Sequence, residues 1–311
     1  MELIVDKSDN SIRGNRYPSI KEAIAASKSG DIIRILPGEY LERVVVLTPG
    51  ISLVGEDPEN TVISWSLGAK HDMYDGNKRG TFRSYTMLVY THDVTIENLT
   101  IANTAGAGAV AGQAIALYTE GDHIHVKNCH LKGHQDTLFT GPLPDEEISH
   151  GGFVGPTENA PRIVGRQWFE NCVIEGDVDF IFGGARAIFT NCEIVSLHRD
   201  NDPEGYVTAP CTEKGEDIGY VFKDCQFTSR GCGKDSVYLS RPWRDYAKTV
   251  YINCQYGDHI KTVGFHDWKK EIAHTTSYYA EYPMVDGRCD WAHAVEECEL
   301  SRYTVEAVYG K

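Results

Sequence analysis

Apolar and polar positions alternate along much of this chain, and the alternation comes in a phrase that recurs. VTIENLTI (Val94 to Ile101), IHVKNCHL (Ile124 to Leu131), WFENCVI, IFTNCEI, VFKDCQF and VYINCQY share one order: apolar, any residue, Asn or Asp, apolar, any residue, apolar. The polar member falls at Asn98, Asn128, Asn171, Asn191, Asp224 and Asn253, followed by Leu99, Cys129, Cys172, Cys192, Cys225 and Cys254. Period-two alternation predicts a half-buried strand at each phrase. Asn and Asp tolerate the left-handed backbone that a sharp corner between strands demands. The phrases recur at intervals of 30, 43, 20, 33 and 29 residues with no helical pattern between them. Such spacing predicts an all-β solenoid, a parallel β-helix in which each coil rests on the last.

The register also explains the cysteines. Five of nine sit at one phrase position, which predicts an internal ladder of small apolar groups rather than disulfides or a metal site. Near the N-terminus, Ile20, Ala23 and Ile24 have helical spacing, with Ser19 as N-cap and Gly30 as stop, so a short helix is expected to cover the open end of the solenoid. The tail after about Gly264 lacks the phrase and is expected to pack along the outside. The stretch from Gly141 to Arg166 carries Pro142, Pro144, Pro156 and Pro161, which do not fit inside a parallel ladder. It is expected to be a surface insertion, which accounts for the 43-residue interval. The whole chain, 1–311, is therefore expected to form a single domain.

Composition narrows the partners. A net charge of −15 disfavours nucleic acid and anionic membranes, because a polyanion would meet repulsion rather than release counterions. It also weighs against a fully ionised polyanionic substrate and suits one whose charges are masked. MELIVDKSDN has no basic segment leading into an apolar run, and nowhere do 18 apolar residues stand together.

Two carboxylates stand out by position. Asp136 lies eight residues after Asn128 and Asp179 eight after Asn171, so they share a register. On adjacent coils their backbones would stack about 4.8 Å apart, and on coils two apart about twice that. At the closer spacing both cannot ionise cheaply, which would supply a protonated acid beside a carboxylate nucleophile. The plainer alternative is a pair of corner aspartates in turn hydrogen bonds. Gln113, Gln135 and the segment RPWR (Arg241 to Arg244) add amide donors, fixed positive charge and an indole, a set suited to a charged transition state on a sugar.

Through QAIAL (Gln113 to Leu117), QDTL (Gln135 to Leu138), DFIFG (Asp179 to Gly183) and LSRPW (Leu239 to Trp243), the sequence resembles the pectin methylesterase family. GEYLE (Gly38 to Glu42), TFRS (Thr81 to Ser84) and YYAEY (Tyr278 to Tyr282) are weaker echoes, and the likeness runs from about Ser19 to Trp291. The resemblance implies a right-handed, single-stranded parallel β-helix. It implies that Asp179 attacks the methyl-ester carbonyl of galacturonate while Asp136 protonates the departing methanol and then activates water. Gln113 and Gln135 would stabilise the oxyanion, and Arg241 would hold Asp179 ionised. Trp243, Phe180, Thr81 and His134 would contact substrate, which is methylated pectin or its oligogalacturonides, with no metal or other cofactor. The sequence departs from the family pattern at Ser240, where glycine is usual, at His134, where tyrosine is common, and in the length of the 141–166 insertion.

Pectate lyases and polygalacturonases share this architecture, so the fold alone does not name the reaction. QDTL and DFIFG resemble neither family. No G-x-S-x-G elbow supports a serine esterase. A carbohydrate-binding solenoid without turnover is disfavoured by the intact Gln113, Asp136, Asp179 and Arg241. A monomer is expected. The unpaired thiols and the N-terminal sequence point to the cytoplasm, as in a bacterium that imports pectin fragments, and a mature secreted fragment is the alternative.

Overall fold

In the computed structural model, which describes residues 1–8 and 11–310, the chain winds so that every strand pairs in parallel with its counterpart one coil away. Three sheets result, of 12, 8 and 7 strands, and together they form a right-handed parallel β-helix. Each recurring phrase proves to be two strands rather than one. Val94–Glu97, Ile124–Lys127, Arg166–Glu170, Arg186–Thr190, Tyr220–Lys223 and Lys248–Ile252 lie in the first sheet, and the chain turns at the Asn or Asp into the second. The backbone at the corners is left-handed, with φ between 50° and 59° from Asn98 through Asn253. The corner amides also bond between coils: Asn128 Nδ2 donates to Asn98 Oδ1 (3.1 Å) and Asn171 Nδ2 to Asn128 Oδ1 (3.3 Å).

One residue inward, Cys129, Cys172, Cys192 and Cys225 are buried free thiols, and Cys254 at the end of the ladder is half-buried. Each thiol donates to a carbonyl two residues earlier and to one on the preceding coil, as Cys192 does to Thr190 and Phe169. Beside this ladder the rings of Phe169, Phe189, Phe222 and Tyr251 stack in a column at 4.7, 4.5 and 5.2 Å. Like residues sit over like because register is kept from coil to coil, and identical flat or small groups then pack without voids.

The capping helix forms over Ile20–Ala26, with Ser19 Oγ accepting from Glu22 N. The carboxylate of Glu42 accepts from the N–H groups of Ile20 and Lys21, satisfying two further donors of the first turn. The helix ends at Ser27, short of Gly30, which occupies the following turn at φ 87°. The tail corrects the expectation of purely external packing. Tyr278–Tyr282 and His293–Ala294 extend the first sheet, while the segment from Glu297 to Val308 does lie outside, with Tyr303 and Val308 packed against Ile188, Val221 and Val250. The region between Thr140 and Arg166 holds no strand and projects from the coil as a surface insertion.

Candidate active site

The third sheet positions the predicted residues. Its strands Leu117–Glu120, Leu138–Thr140, Val178–Gly183, Gly205–Pro210 and Val237–Ser240 are consecutive neighbours. Gln113, Gln135 and Asp136 precede their strands, Asp179 lies within Val178–Gly183 and Arg241 follows Val237–Ser240, so residues from separate coils meet in one groove of about 310 Å³. Leu138 pairs with Ile181, which sets Asp136 opposite Asp179 on adjacent coils. Asp136 N donates to Val178 O at 3.0 Å. Both aspartates adopt left-handed backbone, φ 66° and 49°, which turns their carboxyls out of the strand.

The two carboxyls live in different surroundings. Arg241 holds Asp179 in a bidentate pair, Nε to Oδ1 at 2.7 Å and Nη2 to Oδ2 at 2.6 Å. The guanidinium is sandwiched between the rings of Tyr206 and Trp268, each 3.7 Å from its Cζ. This clamp fixes the orientation of the Asp179 carboxylate. Asp136 has no such partner among the described residues. Burial, and then the charge of Asp179, push its carboxyl well above the usual carboxylate range, with Arg241 opposing. A carboxyl gripped by a guanidinium stands beside a buried carboxyl that resists ionisation, an arrangement that offers a nucleophile and an acid together.

Gln113 and Gln135 both face the groove. Gln135 is packed against Gly108 so closely that a Cβ there would strike Oε1 of the amide. Gly108 therefore leaves the space that the glutamine needs. Ser240 is fully buried. Its hydroxyl bonds to those of Thr208 and Thr249, while Arg241 N donates to Thr208 O at 3.0 Å, so the replacement of glycine leaves the Arg241 backbone anchored.

Of the expected substrate contacts, Thr81 and Trp243 line the groove. Phe180 does not, and that expectation is corrected: the side chain is 0% exposed and belongs to the central core. The pleat sends it inward, because it follows an outward Asp179. Between Val178 and Ile181 the register then shifts by a bulge, so Ile181 also packs inward and Phe182 is the ring that reaches the groove. His134 lies outside the groove lining, with Nδ1 3.2 Å from Asp177 Oδ2. Sequence reasoning missed Trp268, Tyr206, Phe82 and Phe153. Trp268 holds φ 55°, unusual for a bulky residue, in the tail that carries no repeat, so no periodic signal marks it.

The fold and the site together define a parallel β-helix protein with a paired-carboxylate centre on one sheet. The chain belongs to the pectinesterase family, whose model matches residues 7–142 and 162–308. It is 32% identical to pectinesterase QRT1 of Arabidopsis thaliana over 89% of this chain and 69% of that protein. Some of the curated plant relatives are about twice as long as the part they share with it. Among solved structures, pectin methylesterase from carrot superposes with a TM-score of 0.81 at 26% identity, covering 99% of this chain and 93% of that one. A pectin methylesterase in complex with a hexasaccharide gives 0.80 at 26% identity, covering 99% and 97%. Plant proteins dominate the curated sequence relatives, which therefore lend no support to a bacterial setting.

Proposed function

We propose that this protein hydrolyses methyl esters of galacturonate units in pectin or its oligosaccharides, releasing methanol, with Asp179 as nucleophile and Asp136 as acid and base. The observation that carries this reading is the contrast between the two carboxyls: Asp179 clamped by Arg241, Asp136 buried beside it without a cation of its own. Family membership and the oligosaccharide complex of a structural neighbour support the substrate class.

In the first step a carboxylate oxygen of Asp179 adds to the ester carbonyl carbon. The carbonyl π electrons move to oxygen, where amide N–H groups of Gln113 and Gln135 donate to the oxyanion. Collapse breaks the bond to the methoxy oxygen, which takes the proton of Asp136 and leaves as methanol. The product is an anhydride between substrate and Asp179. Water then attacks the anhydride as Asp136, now a carboxylate, accepts its proton, and Asp179 departs ionised. Proton and charge return to their starting places. Trp243 and Phe182 offer apolar faces for sugar rings beside the reacting ester.

The test is to incubate the protein with highly methylated pectin and with short methylated oligogalacturonides while following methanol, new reducing ends and unsaturated products. Methanol without chain cleavage is expected. Reducing ends without methanol would move the assignment to a glycoside hydrolase, and unsaturated products to a lyase.

A further inference from the structure

The family model leaves residues 143–161 unmatched, and these are residues of the insertion that leaves the third sheet after Thr140. The groove they meet has a floor and two walls. Asp136, Asp179 and Phe182 form the floor; Phe82 stands on the wall toward the N-terminal coils and Trp243 on the wall toward the C-terminal ones. Phe182 lies three residues beyond Asp179 on the same strand.

Phe82 and Trp243 both lie against Phe182, at 6.3 and 5.7 Å between ring centroids, and Phe153 of the insertion spans the gap between them. Its ring meets Phe82 edge-on at 5.8 Å and Trp243 edge-on at 6.2 Å. The bridge is moored on both sides. Gly155 approaches Phe82 so closely that a Cβ would lie 2.6 Å from the Phe82 Cβ, and the buried Thr157 hydroxyl bonds to that of Tyr118. Across the groove, Arg244 Nη2 donates to Glu146 O at 2.7 Å, and Arg162 joins Leu143 O to Glu213. Glu147 accepts from the N–H groups of Gly151 and Phe153, which ties the turn that presents the ring.

We infer that the insertion makes the groove blind at this end, so that the ester attacked belongs to a galacturonate at or next to the terminus of a short methylated oligosaccharide, rather than to an interior unit of a polymer. A polymer must leave a groove at both ends to present an interior ester, and here Phe153 occupies one exit. This inference rests on the esterase reading above.

The wild-type protein should first be given a fully methylated hexagalacturonate, with tandem mass spectrometry locating the first ester removed. At least a tenfold preference for positions at one end is expected. Replacing residues 146–160 with a short Gly-Ser linker, or making Phe153→Ala, should raise the ratio of kcat/KM for polymeric pectin to that for the trimer at least tenfold. Methanol released first from interior positions by the wild type would overturn the inference and leave the esterase reading standing, as would an unchanged ratio in variants that still release methanol. No methanol from any substrate would overturn both. The wild-type mapping decides the matter even if a loop variant does not fold.

Discussion

Asp136 carries the sharpest consequences at the scale of single residues. Its raised pKa means that the folded protein keeps a proton that the unfolded chain gives up above the ordinary value of 3.8. The folded state therefore loses stability relative to the unfolded as pH rises through that value, until Asp136 itself ionises. Asp136→Asn removes this cost, so the variant should show a higher Tm than the wild type at neutral pH and none of the gain at strongly acid pH. Thermal melts across that range check it. Turnover should fall on the alkaline side as Asp136 loses its proton, and a pH profile of kcat that rises steadily with pH would contradict the role of acid. Trp268→Ala removes one face of the stack on Arg241 and should lower kcat/KM about tenfold, measured as methanol release, with the fold retained by circular dichroism. The two carboxylates proposed to do the chemistry were legible because Asp136 and Asp179 each stand eight residues after a corner asparagine. Phe180 was misplaced although simple alternation already sends the neighbour of an outward aspartate inward. Phe182 could not have been chosen on the same basis, since a bulge reverses the parity between them.

At the scale of the element, corners and ladder were readable from Asn98 to Cys254 because each repeats one backbone conformation and one packing environment. What the alternation hid was that the phrase is broken by the corner into strands of two sheets. Asn128 does two jobs, a left-handed backbone at φ 50° and amide bonds to Asn98 and Asn171. Asn128→Gly should lose only the amide bonds, about 1 to 2 kcal/mol. Asn128→Ala should cost about 1 kcal/mol more, because the Cβ is strained there. Denaturant melts of the two variants separate the terms, and equal stability would show that the backbone conformation carries no cost. The tail was the least legible element. Tyr278–Tyr282 extends the first sheet without the Asn corner, so nothing periodic announces it.

At the scale of the whole molecule, solenoid architecture explains how residues as distant as Gln113 and Arg241 share one groove: stacked coils convert sequence register into proximity along the axis. Such proximity could be inferred for Asp136 and Asp179, which share a register, but not for Arg241, which only the resemblance placed. The net charge of −15 acts over the same scale. Inhibition by fully ionised oligogalacturonate should strengthen as salt is raised from low to physiological levels, while KM for a fully methylated oligosaccharide changes little. Steady-state inhibition at several ionic strengths checks this, and salt-weakened inhibition would show that local basic residues outweigh the net charge. The central claim is that two unlike aspartates divide the chemistry of ester hydrolysis. It is tested most directly by methanol release from methylated trigalacturonate with the wild type, Asp179→Asn and Asp136→Asn, each verified as folded. Losses of about a thousandfold or more in kcat are predicted for both variants with folds intact; Asp179→Asn within tenfold of the wild type would contradict the account.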